Sequence, residues 1–282
     1  MSRPAIRALL VDLSGTLHIG SNAVPGAADA LKRIHQIGIP VRFCSNTSKE
    51  STASLRSKLI KMGFEVNDGE LWTSLGALKD VIKMKNLRKP LFLLSESAME
   101  EFPEFTDAST SSHTEHDSVV IGLSPSHFNY DTLTKAFRIL SSNQDTPTSN
   151  VPPLIATHRA KYIRTPDGEL SLGPGPFVAA LEYAVGGGLS AEVIGKPSRD
   201  FFERVITSIP NQNPKSKYDE IAIIGDDIEA DLGGAAVELG LWRVLVKTGK
   251  YRDGDEEREG QTPPNEVQDS FASFVDDLVK TV

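Results

Sequence analysis

Four apolar runs in this sequence end on residues that could share one piece of chemistry. "ALLVDLSGT" carries Asp12, "VRFCSNTS" carries Ser45 and Asn46, "EVIGKP" carries Lys196, and "IAIIGDDIEAD" carries Asp226, Asp227 and Asp231. Ligands of open parallel sheets bind outside the carboxyl ends of the strands. If these runs are strands of such a sheet, a carboxylate, a hydroxyl, an ammonium and an acidic cluster surround a single mouth. Phosphoryl transfer gives each of them work. A carboxylate such as Asp12 can attack phosphorus and form an aspartyl phosphate, splitting one hard step into two. Carboxylate and phosphate repel each other, so a divalent cation must bridge them, and Asp12 and Asp226 could share Mg²⁺. Ser45 and the backbone N–H groups of the Gly15 loop could donate to phosphate oxygens, while Lys196 neutralises charge and binds both nucleophile and phosphate. Singly, each residue has an ordinary use: Asp12 as a turn or cap, Lys196 as a solvated strand end, the acids as complements to a helix dipole. Their order, each after a separate apolar run, favours one shared site.

The elements that must position them read as an α/β fold. "AIRALLVDL" and "IPVRFCSN" are strands, each followed by an amphipathic helix, in "PGAADALKRIHQIG" and "SKESTASLRSKLIKMGF". Strand and helix alternating in this way favour a Rossmann-like parallel sheet with crossover helices. The middle of the chain changes character. Short strands are expected in "KPLFLLSE", "DSVVIGLS", "VPPLIATH" and "KYIRTPDG", with a helix in "YDTLTKAFRILSS" and a polar linker in "NQDTPTSN". After a returning helix in "GPFVAALEYAVGGG", the parallel pattern resumes with strands in "AEVIGKP", "DEIAIIGDD" and "WRVLVKTG" and helices in "RDFFERVITSI", "EADLGGAAVELG" and "DSFASFVDDLVKTV". We therefore expect a discontinuous core of residues 1–87 and 190–282 and a smaller inserted α/β unit of residues 88–189. A unit lying over the mouth would exclude water and select substrates.

Composition narrows the function classes. A formal net charge of -8 over 282 residues argues against nucleic acid or an anionic membrane as partner, since both reward clustered Lys and Arg. Cys44 is the single cysteine, so neither an intrachain disulfide nor a cysteine zinc cage is open to the chain, and it reads as a small buried hydrophobe. No apolar stretch is long enough to span a bilayer, and the start lacks the apolar core of a secretory signal. The expected location is cytoplasmic, as an intracellular soluble protein.

The motifs "VDLSGTLH", "FCSNTSKE", "LGPGPFVAALEYA", "VIGKP", "IGDD" and "LVKTGKYR" resemble the haloacid dehalogenase superfamily of phosphohydrolases. The likeness runs over nearly the whole chain and is to the branch whose large α/β cap is inserted between the second and third motifs. It implies that Asp12 is the nucleophile and that Mg²⁺ is held by Asp12, the Ser14 backbone carbonyl and Asp226. It also implies phosphate binding by Ser45, charge neutralisation by Lys196, and a place behind the ion's direct ligands for Asp227 or Asp231. A small phosphorylated substrate and a homodimer paired through the cap are further implications.

One position departs from the pattern. Most phosphatases of this superfamily carry a second Asp two residues after the nucleophile, as acid to the leaving group and base to water, and this chain has Ser14. A positioned acid or base is worth about 10²- to 10⁴-fold. The expected bias is towards leaving groups that depart without a strong acid: phosphoramidates, pyrophosphate, acyl phosphates or aryl phosphates. Two other readings stay open, a binding or regulatory protein with little turnover and a metal-independent dehalogenase, the acidic cluster weighing against the second. In the cap, "ATHRAKYIR" offers His158, Arg159, Lys161 and Tyr162 as substrate contacts, or as a polar hairpin with a solvated face. His18 and Asn46 are further candidates near the chemistry.

Overall fold

The computed structural model describes residues 3–105, 116–142, 151–165, 169–210 and 218–280. Ten of its strands form two parallel sheets. The larger has six, in the order Glu266–Gln268, Trp242–Val246, Ile221–Gly225, Ala8–Asp12, Val41–Ser45 and Leu71–Thr73. The central Ala8–Asp12 strand is buried at all five residues. Successive side chains of a strand point to opposite faces, and both faces of this one are covered. Leu9 and Val11 pack with Leu31 and Ile34 of the Ala27–Gln36 helix and with Phe271 and Phe274 of the Phe271–Val279 helix. Ala8 and Leu10 pack with Phe201, Phe202 and Val205 of the Arg199–Thr207 helix. Register then aligns the mouth. Val11 lies opposite both Phe43 and Ile224, so Asp12, Ser45 and Asp226 leave the sheet at one edge.

The smaller sheet has four parallel strands, ordered Glu192–Val193, Leu154–Ala156, Ser118–Ile121 and Pro90–Leu93. On one face, Val119 and Ile121 meet Ala136 and Leu140 of the Tyr130–Ser141 helix and Val178 and Leu181 of the Gly175–Val185 helix. Val120, Ile155 and Ile194 on the other face meet Leu75, Leu78 and Ile82 of the Ser74–Met84 helix. Two antiparallel hairpins complete the sheets, one pairing His18–Ile19 with Asn22–Ala23 and one pairing Tyr162–Arg164 with Leu170–Leu172.

This arrangement amends several expectations. The strand in "AEVIGKP" does not extend the large sheet; Glu192 and Val193 pair with Ile155 and Ala156 at the edge of the small one. The Ser74–Met84 helix, assigned to the core by a boundary at residue 88, also packs on the small sheet. Apolar periodicity reveals that a face is buried but not which sheet it meets. The helix expected across "EADLGGAAVELG" is confined to Ala235–Glu238, because Gly234 takes φ 49° where a Cβ would crowd Pro197. The Leu71–Thr73 and Glu266–Gln268 strands and the His18–Ala23 hairpin carry too little apolar alternation to be read in advance. The polar linker at 143–150 and the end of "KYIRTPDG" at 166–168 lie outside the described residues.

Candidate active site

A cavity of about 740 Å³ opens at the carboxyl edge of the large sheet and reaches the inserted unit, with Asp12, Ser14, Ser45, His158, Lys196 and Asp226 among its lining residues. The loop after Asp12 is built for close approach. Gly15 takes φ 104°, a left-handed conformation that favours glycine, and a Cβ there would overlap the Asp226 carboxylate. Thr16 donates from Oγ1 to Asp12 Oδ2 at 3.3 Å, which holds one face of that carboxylate.

Lys196 is the anchor of the site. Its side chain is 1% exposed, and Nζ donates to Asp12 Oδ1 at 2.5 Å, to Asp231 Oδ1 at 2.7 Å and to the Cys44 carbonyl at 2.7 Å. An ammonium has three donors, and all three are used. Burial alone would lower its pKa, but Asp12 and Asp231 outweigh it and hold the pKa well above the ordinary lysine value. Cys44 contributes its backbone only; burial pushes its thiol up to about 12.

Asn46 lines the cavity and also holds the backbone of Lys196. Its Nδ2 donates to the Lys196 carbonyl at 2.8 Å, and its Oδ1 accepts from the Lys196 N–H at 2.8 Å. Each end of the amide makes one hydrogen bond to the backbone of Lys196. Gly195 permits the approach, since a Cβ there would overlap Asn46 Oδ1. Ser45 is free of such a commitment. Its Oγ accepts from the Thr47 N–H at 3.2 Å, so the hydroxyl proton can point into the cavity.

The acidic cluster divides by role. Asp12, Asp226 and Asp231 each present a carboxylate oxygen, all within 4.8 Å of one another. Burial, then Asp12 and Asp231, push the Asp226 pKa well above its ordinary value. Burial, then Asp12, push Asp231 up to about 7 in spite of Lys196. Buried carboxylates this close resist joint ionisation unless a cation compensates them. Oxygen donors in this number and setting fit a hard divalent ion such as Mg²⁺. Asp227 faces elsewhere. Its Oδ1 caps a turn, accepting from the Glu229 and Ala230 N–H groups at 3.1 and 3.0 Å, and its Oδ2 accepts from Lys250 Nζ at 2.9 Å. Burial opposes its ionisation, but Lys250 and these N–H groups bring its pKa below the ordinary value.

Sequence reasoning missed Lys250. Its backbone N–H donates to Asp226 Oδ2 at 2.6 Å while its ammonium holds Asp227, so one residue orients both acids. The available signal was position: Lys250 follows the Trp242–Val246 strand at the same sheet edge.

Of the candidates in "ATHRAKYIR", His158 is buried and lines the cavity. Its Nδ1 accepts from the Ala160 N–H at 3.3 Å, so Nε2 carries the proton and faces Ser48 Oγ at 3.4 Å. Burial, then the lysines Lys250, Lys49 and Lys196, lower its pKa to about 3, which keeps the ring neutral. Arg159 is committed to Glu182 by two hydrogen bonds of 2.7 Å within the inserted unit. Lys161 pairs with Glu229 at 3.2 Å, and Tyr162 lies under the Arg252 guanidinium at 5.4 Å, so both tie the inserted unit to loops of the large sheet.

His18 sits in the hairpin beside the Asp12 loop, 4% exposed, with Nδ1 3.0 Å from the Gly20 carbonyl. A carbonyl only accepts, so Nδ1 is the protonated nitrogen. Its Nε2 is buried and has no hydrogen-bond partner among the described residues. Burial, then the Lys58 ammonium, lower its pKa and favour the neutral ring.

The sequence profile described as "Haloacid dehalogenase-like hydrolase" matches residues 9–106, and a second profile of HAD-like hydrolases matches residues 193–274. The chain is 42% identical over 279 residues to haloacid dehalogenase-like hydrolase domain-containing protein 2 of Mus musculus, covering 99% of this chain and 98% of that one. It is 32% identical over 279 residues to phospholysine phosphohistidine inorganic pyrophosphate phosphatase of Bos taurus, covering 98% and 95%. In fold it resembles 4-nitrophenylphosphatase of Thermotoga maritima, with a TM-score of 0.80 at 21% identity over 96% of this chain and 97% of that one. Among the described residues no helix is long and apolar enough to cross a membrane.

Proposed function

The chain belongs to the haloacid dehalogenase-like hydrolase family, and we propose that within it the protein is a Mg²⁺-dependent phosphatase working through an aspartyl phosphate on Asp12. Its substrates are small phosphorylated compounds whose leaving groups depart without a strong acid: phosphoramidates, pyrophosphate, acyl phosphates or aryl phosphates. The observation that carries this reading is the buried contact of the Lys196 ammonium with Asp12 Oδ1 at 2.5 Å beneath an open cavity. A binding module has no need to hold a carboxylate in this way.

In the first step an Asp12 oxygen attacks phosphorus, the bond to the leaving group breaks, and its electron pair departs with the leaving group. Thr16 and Lys196 fix the direction of the carboxylate, and Ser45 donates to a phosphate oxygen. Asp12, Asp226 and the Ser14 carbonyl would hold Mg²⁺, which would supply the positive charge that lets carboxylate and phosphate approach. In the second step water attacks phosphorus, the P–O bond to Asp12 breaks with its electron pair returning to the carboxylate, and inorganic phosphate leaves with the hydrogens of the water. Ser14 offers no carboxyl proton in either step, which motivates the leaving-group bias. The inserted unit, read as a cap, brings His158, Lys161 and Tyr162 over the mouth and excludes bulk water. The name of the phosphatase relative, at 32% identity, supports phosphoramidates and pyrophosphate as the first compounds to try.

The test is phosphate release from p-nitrophenyl phosphate, pyrophosphate, phospholysine and a set of alkyl phosphates, with and without Mg²⁺, and with Asp12→Asn as control. Turnover that needs Mg²⁺, vanishes in Asp12→Asn and ranks alkyl esters last is expected. No turnover from any compound, with Mg²⁺ binding intact, would favour a binding or regulatory role.

A further inference from the structure

Seven lysines and arginines line the cavity, and six of them hold a carboxylate. Lys196, Arg159, Lys161 and Lys250 make the ion pairs described above. Lys58 reaches Glu50 at 3.4 Å, and Arg258 is paired with Asp255. Lys49 is the seventh, and among the described residues its ammonium has no carboxylate partner; the acid next to it in the chain, Glu50, is the one that Lys58 holds. Lys49 is exposed, so an entering molecule can reach it. Its backbone is nevertheless fixed. Ser95 Oγ donates to the Lys49 carbonyl at 2.8 Å, and the preceding Ser48 Oγ accepts from the Leu123 N–H at 2.8 Å, so the inserted unit grips this loop at two points. Partial burial, then the Lys58 ammonium, lower the Lys49 pKa in spite of Glu50. An anion beside Lys49 would relieve that repulsion.

We propose that Lys49 is a specificity-determining residue that binds a carboxylate carried by the leaving group of the substrate. The inference rests on the phosphatase reading above and narrows its substrates to phosphorylated compounds with a carboxylate on an apolar body, such as carboxyaryl phosphates. Asp12, Ser45 and Lys196 serve the phosphoryl group, and a cavity of about 740 Å³ has room for much more than that group. Apolar side chains line it as well: Leu55, Leu123, Ile163 and Ile19, the last 47% exposed on the hairpin beside Asp12. An aryl or aliphatic body resting on these residues would cover them and carry a second charge to the unpaired ammonium. One ammonium matches one carboxylate. A second phosphoryl group bears up to two charges and three acceptor oxygens, and the other cations of the cavity are already paired.

The experiment measures kcat/KM for 3- and 4-carboxyphenyl phosphate and for the corresponding carboxamides, in the full chain with Mg²⁺, for wild type, Lys49→Gln, Lys49→Arg and Lys49→Glu. Comparing each ratio of acid to amide across variants cancels the difference between the two leaving groups. A hydrogen bond to a charged group is worth about tenfold or more when shielded and less in solvent, so for an exposed lysine the ratio should fall by about 3- to 10-fold in Lys49→Gln. Lys49→Arg keeps the charge and should keep most of the ratio. Lys49→Glu should lower it further and raise kcat/KM for 4-(aminomethyl)phenyl phosphate. A ratio unchanged in Lys49→Gln for both isomers, or acid and amide falling together, overturns the role of Lys49 while leaving the phosphatase reading intact. Loss of pyrophosphate turnover in Lys49→Gln with the carboxyaryl ratio unchanged would overturn the assignment to a carboxylate in favour of a second phosphoryl group. Wild type that releases phosphate from none of these compounds overturns both readings.

Discussion

Replacing Asn46 by Ala separates two uses of that residue that the motif alone does not distinguish. The amide spans Lys196 with two hydrogen bonds of 2.8 Å, one to its carbonyl and one from its N–H. Ala removes both and leaves two backbone groups of a buried residue without partners. Each such group costs about 1–3 kcal/mol, and partial relaxation or an entering water brings the expected loss to about 2–4 kcal/mol. With a urea m value of about 2–3 kcal/mol per M for a chain of this size, the unfolding midpoint should drop by about 1 M. The catalytic effect is the sharper signal. Lys196 Nζ reaches Asp12, Asp231 and the Cys44 carbonyl only while its backbone is held in place. A misplacement of about 1 Å can cost about 10²-fold, so kcat for p-nitrophenyl phosphate should fall by about 10- to 100-fold while KM changes little. Asn46→Asp keeps the acceptor for the Lys196 N–H but loses the donor, and should lie between the two. A variant of normal stability in which KM rises and kcat holds would refute this reasoning and return Asn46 to phosphate binding.

Ser14→Asp should raise kcat/KM on alkyl phosphates by about 10²-fold relative to p-nitrophenyl phosphate, the lower end of what a positioned acid contributes; no gain in a folded, Mg²⁺-binding variant would count against the missing-acid account. The acidic cluster makes a pH prediction for chelator-treated protein. Asp226 and Asp231 have folded pKa values raised above their unfolded values, Asp231 to about 7, so the folded state holds more protons than the unfolded one. Stability should therefore fall as pH rises from about 4 to about 7. A bound divalent cation replaces those protons, so the rise in Tm at saturating Mg²⁺ should be larger at pH 8 than at pH 5.5. Thermal melts at the two pH values check this, and an equal rise at both would mean that the cluster does not hold the ion.

The constellation is readable from residue types and spacing. Strands announce themselves locally, through short apolar runs, and the small polar residues that end them mark where a parallel sheet opens. Asp12, Ser45 and Asp226 were legible for that reason, whereas Lys196 follows a strand of the small sheet and reaches the same cavity from there. The departure at Ser14 is a matter of residue type and needed no structure either. Hydrogen-bond partners and packing faces are not readable in this way, because they depend on the path of the whole chain. Asn46 and Lys196 are 150 residues apart, and nothing near either one predicts that the amide of the first holds the backbone of the second. Only the fold turned Asp231 towards Lys196 and Asp227 towards Lys250, although both acids sit in one short motif. The Glu192–Val193 strand pairs with Leu154–Ala156 in the small sheet, a choice that no local pattern records. The unpartnered nitrogen of His18 exists only once the hairpin closes and the Gly20 carbonyl takes the proton on the other side of the ring.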